Sequence, residues 1–346
     1  MSNARIERIK AIKLKDVLDW MMNNAIFVVL LVLVLIVVAV EPSFVSVNNF
    51  RNILAQASTR LIIALGIGGL IITQGTDLSA GRLVGLSAVI SASLLQSPNY
   101  AYKMYPNLPE LNIIIPIILV CIICGFFGLV NGFIIAKFNV TPFIATLGTM
   151  LIIYGVNSTY FDRPPFGAQP IGGLSEKYMN FAQGSINIGG FMMPYLVIYA
   201  TIVTIIMWFI WNKTRLGKNI FAVGGNPEAA AVSGVSIVKT LLIVYTLAGI
   251  LYGFAGSLEA ARVGSATNNT GNMYEFDAIS ACVVGGVSFA GGIGTIAGIV
   301  TGVLIFQVIS YGLAFIGVTP YMQYIIKGLI IVLAVAIDMR KYIKRK

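Results

Sequence analysis

The chain has 346 residues, 58% of them hydrophobic and only 10% charged, with a formal net charge of +10. That balance excludes a soluble globular domain, and the absence of histidine removes the commonest general base and metal ligand. In a polytopic membrane protein, a basic excess marks the cytoplasmic side and needs no nucleic-acid partner.

Residues 1–24 read as a cytoplasmic N-terminal tail, because SNARIERIKAIKLKD is too long and too mixed in charge for a signal peptide. Residues 25–40, AIFVVLLVLVLIVVAV, form an unbroken apolar run and open a transmembrane domain expected over 25–338. Further spans are predicted at 52–73, 79–96, 111–137, 142–160, 194–212, 240–261, 275–290, 293–316 and 320–337. The expected fold is an all-α polytopic membrane protein of about ten transmembrane helices. Residues 339–346 make a basic tail.

Placing the N-terminus inside puts Lys137, Lys213, Arg215, Lys218, Lys239 and the C-terminal basic cluster on the same side. Both termini and the 213–239 loop are then cytoplasmic, and 97–110 and 161–193 are outside. The Gly- and Pro-rich 161–193 stretch reads as a periplasmic loop with a short interfacial helix.

Three motifs recur in the same order. GTDLSAG (75–81) resembles GVSFAGG (286–292), GLVNGFII (128–135) resembles GIVTGVLI (298–305), and VTPF (140–143) recurs as VTPY (318–321). A degenerate two-half repeat suits a transporter whose path runs between the halves. The span count gives the first match one orientation and the later ones another, so either the repeat is partly inverted or one segment does not fully cross.

Several polar residues interrupt the apolar runs. Either Thr76 or Asp77 caps the helix beginning near Ser79, or Asp77 lines a broken segment with Arg82. Lys327, inside the last span, either pairs or snorkels, with Asp277 or Glu259 as partner, or meets substrate directly. Asn268 and Asn269, in the polar stretch 259–280, suit a neutral hydroxylated ligand or a solvated loop equally. Gly75, Gly81, Gly286 and Gly292 complete the candidate pathway, since glycine lets backbones approach closely. Cys121 and Cys124 form a CxxC in an apolar run, where a thiolate is costly, so they read as packing residues. No catalytic set, metal-ligand cluster or GxxxxGK[ST] phosphate loop is present.

In NPEAAAVSGV (226–235), Asn226 is a good N-cap, Pro227 suits the first helical position, and Glu228 complements the helix dipole. Ala229, Ala230 and Ala231 favour helix, and Gly234 can end it. A smooth helix capped at both ends can dock into a partner's groove; the alternative is an ordinary loop helix.

The chain resembles the ribose/galactose family of ABC sugar permeases over nearly its whole length. ITQGTDLSAG (72–81), NVTPFIATLGTM (139–150), TRLGKNIFAVGGNPEAAAVSGV (214–235) and MYEFDAISACVVGGVSFAGGIGT (273–295) carry the resemblance. GSATNN (264–269) and YMQYIIKG (321–328) look most like its galactose/methyl-galactoside branch. The resemblance implies a multi-pass subunit of the bacterial inner membrane that forms a sugar path and is not itself an enzyme. It implies a coupling helix in which Asn226, Glu228, Ala229, Ala230 and Gly234 contact an ATPase subunit, which would hold the ATP and Mg. The other implied partners are a periplasmic galactose-binding protein, a second copy of the permease and membrane lipid.

Overall fold

The computed structural model describes residues 25–163 and 167–343. The N-terminal tail 1–24, residues 164–166 of the predicted outside loop and residues 344–346 of the basic tail lie outside the described residues.

The first five helices are α1 (Ala25–Val40), α2 (Val47–Ile72), α3 (Ala80–Leu94), α4 (Ile114–Phe138) and α5 (Pro142–Phe161). A short α6 (Glu176–Gln183) follows, then a hairpin of β1 (Ser185–Ile188) and β2 (Phe191–Pro194). Next come α7 (Tyr195–Lys213), α8 (Arg215–Gly225) and α9 (Pro227–Val232). The chain closes with α10 (Ile237–Val263), α11 (Tyr274–Val284), α12 (Ile296–Phe315) and α13 (Pro320–Ile343). Among the described residues, six helices are long and apolar enough to cross a membrane: α2, α4, α5, α7, α10 and α12. With the shorter apolar α1 and α3, they make a multi-pass membrane protein.

Two predicted spans change character. The 79–96 segment is a 15-residue helix, about 22 Å long against a hydrocarbon core of about 30 Å. The 275–290 segment is helical only to Val284, about 16 Å over 11 residues, and Gly285 then caps it. The 213–239 loop holds a second helix, α8, started by Thr214 accepting from the Gly217 amide.

The two ends of the bundle are fixed by hydrogen bonds. At the hairpin end, Gln96 Nε2 donates to the Gly172 carbonyl, and Ile171 bridges Ala266 in antiparallel fashion. Gln183 donates to the Ala261 and Arg262 carbonyls there. Phe44 packs against Tyr311 and Phe315, which brings the ends of α1 and α12 together. Lys177 pairs with Glu110 at 2.8 Å on this surface, and that hydrogen bond raises the lysine pKa. At the opposite, α9 end, the Gly292 amide donates to the Ile72 carbonyl at 2.9 Å, and Leu78 N donates to Thr146 Oγ1.

These anchors fix each helix's direction. In chain order α1 pairs with α7, α2 with α10, α3 with α11, α4 with α12 and α5 with α13. Each pair runs in opposite senses, which is an inverted repeat with α6, the hairpin, α8 and α9 inserted. VTPF and VTPY start the equivalent helices α5 and α13, each with Pro at the first position, but at opposite ends. The GTDLSAG/GVSFAGG match is corrected: 75–81 precedes α3, whereas 286–292 follows α11. The two segments are not equivalent; they meet at the α9 end.

α2 and α10 occupy the centre. Helix α10 lies closest to α4, where Gly125, Gly128 and Gly132 face Ile250, Tyr245 and Leu242, and Gly249 and Gly253 face Cys124 and Cys121. The CxxC thus sits in a helix seam, with Cys124 buried 3.5 Å from the Leu83 carbonyl. The opposite face of α4 exposes Ile114, Ile118, Ile122, Phe126, Leu129 and Phe133, an apolar row at helical spacing that suits lipid.

Candidate functional site

Helix α9 forms as its sequence dictates. Asn226 Oδ1 accepts from the Ala229 amide at 2.9 Å, Pro227 opens the helix, and Gly234 leaves it at φ +83°, a left-handed turn that glycine makes without a Cβ penalty. Glu228 and Ala229 are exposed, and Val232 is 91% exposed. Ala230 is the correction: at 4% exposure it faces inward, and its carbonyl accepts from the Val235 amide. Which face of α9 points outward is decided by its packing beside α8 and α10. The outward row is Glu228, Ala229 and Val232.

Just before α9, the end of α8 meets the break between α2 and α3. Gln74 stands at φ +61°, a left-handed position rare for a residue with a side chain. Its Nε2 donates to the Gly224 carbonyl at 2.8 Å and to the Ala290 carbonyl at 3.2 Å. Three segments are thereby pinned together: the α2–α3 break, the C-terminal end of α8, and the 285–295 loop. Gly292 belongs to this joint, since a Cβ there would meet Gly225 at 2.9 Å. Gly286 makes the turn after α11 and has open space where a Cβ would be.

Asp77 is fully buried in the α2–α3 break. Its Oδ1 accepts from the Ser79 amide at 2.8 Å and from Ser79 Oγ at 2.5 Å. Asn131 donates to Ser79 Oγ, and Thr149 donates to Asn131 Oδ1 at 2.6 Å. Asp77 Oδ1 thus turns back on Ser79, the residue just before α3, without capping a helical amide, while Oδ2 is buried with no hydrogen-bond partner among the described residues. A Cβ on Gly75 would meet Tyr245 Oη at 2.6 Å, and one on Gly81 would strike the Glu275 carboxylate and the Gly271 carbonyl. These two glycines serve close packing.

Asn268 donates to Ser158 Oγ on α5 at 3.2 Å, and Asn269 is exposed beside it. Both lie toward α5, whereas Asp277 and Lys327 lie toward α12 and α13. The structure does not bring the predicted pathway residues into one site.

Lys327 Nζ donates to both Asp277 oxygens, at 2.9 and 3.1 Å. Thr149 in α5 and Lys327 in α13 are both the seventh residue after the repeated Pro, and each ties its helix into the network around a half-length helix. Glu259, the other candidate partner, instead accepts from Arg262, Thr59 and Tyr274, and the Arg60 guanidinium stacks 3.0 Å over the Tyr274 ring.

The Asp277–Lys327 pair borders a cavity of about 420 Å³ with Gln56, Arg60, Gln307, Ser310, Tyr311 and Gln323. A second cavity of about 500 Å³ reaches the hairpin end past Asn48, Arg51 and Asn52, and Gln56 lines both. Asn48, Asn52, Gln56 and Arg60 are spaced by four, so they form one polar stripe along about 18 Å of α2. As a stripe it was not anticipated from the sequence, although the spacing was there to read.

The chain matches the model of the family described as "Branched-chain amino acid transport system / permease component" over residues 49–335. It is 59% identical to the galactose/methyl galactoside import permease protein MglC of Haemophilus influenzae over 328 residues, covering 95% of this chain and 97% of that one. It is 56% identical to MglC of Escherichia coli K12 over 336 residues, covering 97% and 99%. It is 38% identical to the ribose import permease protein RbsC of the same strain over 323 residues, covering 93% and 95%. No solved structure matches.

Proposed function

The chain belongs to the branched-chain amino acid transport system / permease component family, and from that premise we propose that it is the membrane-spanning subunit of an ATP-driven importer for galactose and methyl galactosides. The observation that carries this reading is end-to-end identity of 56–59% with permeases of that name, against 38% with the ribose permease. The cavities support it. Asn48, Asn52, Gln56, Gln307, Ser310 and Tyr311 offer neutral groups that both donate and accept, as sugar hydroxyls do, beside the Asp277–Lys327 pair and the guanidinium donors of Arg51, Arg60 and Arg262.

In this reading the protein is a transporter subunit of the bacterial inner membrane, not an enzyme. The basic α9 end faces the cytoplasm, and the hairpin end faces the periplasm and a sugar-binding protein. Helix α9 docks into an ATPase subunit, which holds the nucleotide, through Glu228, Ala229 and Val232. Two copies of the chain enclose the path. Closure of the ATPase pair displaces α9, and the joint at Gln74 passes that displacement to α2 and to the loop before α12.

The test is co-purification followed by reconstitution. The chain should travel with an ATPase and a soluble galactose-binding protein, and the three should import galactose at the expense of ATP. A co-purified binding protein that holds ribose and no galactose would move the assignment to the ribose branch.

A further inference from the structure

We propose that the apolar groove beside the first turns of α2 holds one acyl chain of an outer-leaflet phospholipid, whose phosphate sits on Arg51. The site goes beyond the transport reading and does not depend on which solute the chain moves. Its leaflet rests on the hairpin end being the periplasmic end.

The first support is a cation without a counter-charge. Arg51 makes no hydrogen bond or ion pair among the described residues, and its Nε is buried without a partner. Leaving such a charged donor unmade is costly, so an acceptor there is stabilising. Arg262, which borders the same cavity of about 500 Å³, differs because Glu259 neutralises it at 2.8 Å. The guanidinium fork matches two phosphate oxygens at once. Helix α2 also begins at this end, at Val47, and the positive end of its dipole favours an anion. Glu41, on the connection from α1, is exposed and accepts from Ser43 Oγ at 2.8 Å. This end therefore carries both signs, which admits a zwitterionic headgroup as well as an anionic one. The phosphate is what those headgroups share.

The second support is the groove. It has a volume of about 510 Å³ and is walled by four elements: Val34 on α1, Val47 and Phe50 on α2, Phe191 on β2 and Val308 on α12. Ser46, the polar residue in its lining, spends its oxygen on the Asn49 amide. Val34, Ile53 and Val308 lie about 9–11 Å along their helices from the hairpin end, so the groove descends from the interface into the hydrocarbon region. The apolar row on α4 lies on a single helix, whereas this concave surface can enclose a chain.

The third support is continuity. Val47 and Arg51 are four residues apart on α2, so Arg51 stands one turn from the edge of the groove. Strand β2 borders both depressions, with Phe191 in the groove and Pro194 in the cavity. The Phe50 and Phe191 rings meet edge-on at 6.1 Å and tie the two walls together. A phospholipid uses both features in one molecule. A free phosphate or an acidic side chain of a partner uses the cation and leaves the groove without an occupant.

The experiment is native mass spectrometry of the full-length permease purified in mild detergent. The probes are palmitoyl-oleoyl phosphatidylglycerol, the corresponding phosphatidylethanolamine, the diacylglycerol with the same tails, and inorganic phosphate. The wild type should retain one molecule of either phospholipid, bind the diacylglycerol about tenfold more weakly, and take up no inorganic phosphate. Arg51→Gln should weaken phospholipid binding by about tenfold and leave diacylglycerol binding unchanged, and Arg51→Lys should recover part of the loss. Val308→Trp, which fills the groove, should weaken both lipids. Equal binding of diacylglycerol and phospholipid by the wild type overturns the site without recourse to any variant. Unchanged phospholipid binding in Arg51→Gln overturns it too. If that variant keeps the phospholipid but loses capture of the soluble binding protein, Arg51 belongs to a protein interface and the proposal fails. Inorganic phosphate bound as tightly as phospholipid also overturns it, because the groove then contributes nothing.

Discussion

Replacing Gln74 with alanine should loosen the link between α9 and the spans. The side chain supplies two hydrogen bonds, to the Gly224 carbonyl at 2.8 Å and the Ala290 carbonyl at 3.2 Å. At about 0.5–1.5 kcal/mol net apiece, Gln74→Ala should cost about 1–3 kcal/mol. The backbone at φ +61° adds a second term, because a side chain in the left-handed region costs about 1–2 kcal/mol. Alanine keeps that strain, whereas glycine removes it at an unfolded-state cost of about 0.4–1 kcal/mol. Gln74→Gly should therefore be milder than Gln74→Ala by roughly 0.5–1 kcal/mol, although it deletes more atoms. The assay is the thermal unfolding midpoint of the detergent-purified complex, with sugar uptake per ATP measured alongside. Both variants should lower uptake per ATP, because both lose the pin, while their midpoints order as wild type, Gly, Ala. Alanine equal to wild type in stability and coupling, or glycine less stable than alanine, would refute the reasoning.

Three further outcomes follow from the geometry. Val232→Arg, on the exposed row of α9, should leave the permease folded but weaken capture of the ATPase subunit, whereas Ala230→Arg at 4% exposure should destabilise the loop itself, read by limited proteolysis. Asp277→Ala strands Lys327 without a counter-charge; a fully buried pair would lose about 3–5 kcal/mol, less here because the side chains are 23% and 14% exposed, and Asp277→Ala/Lys327→Met should recover most of the thermal midpoint. In a background lacking Cys121, Cys124 and Cys282, Ser185→Cys should react with an impermeant thiol reagent outside intact cells and Ser233→Cys should not; the reverse pattern inverts the topology.

What the sequence made legible was the chemistry that acts over one helical turn. Asn226, Pro227 and Gly234 start and stop α9 by local backbone satisfaction, and all three do so in the structure. Pairing of Lys327 with Asp277 was one of the readings left open, because a lysine inside an apolar run needs an anion. Orientation was not legible: Ala230 faces inward because α8 lies beside it, and α8 was passed over when the apolar run ended at Lys213. Segment 275–290 averaged as one span, but the Gly285-Gly286 pair ends the helix after Val284. The hairpin was readable in SINIGGFMMP, where two β-prone runs flank a Gly-Gly turn. The stripe Asn48, Asn52, Gln56 and Arg60 was diluted by the apolar residues between its members, and only a period of four reveals it.

The most direct test of the central claim is uptake of radiolabelled galactose into vesicles carrying this permease. Uptake should require the ATPase, ATP and the galactose-binding protein together, and Val232→Arg should abolish it while leaving the permease inserted. Galactose accumulation by the permease alone, driven by a proton or sodium gradient and indifferent to ATP, would contradict the account.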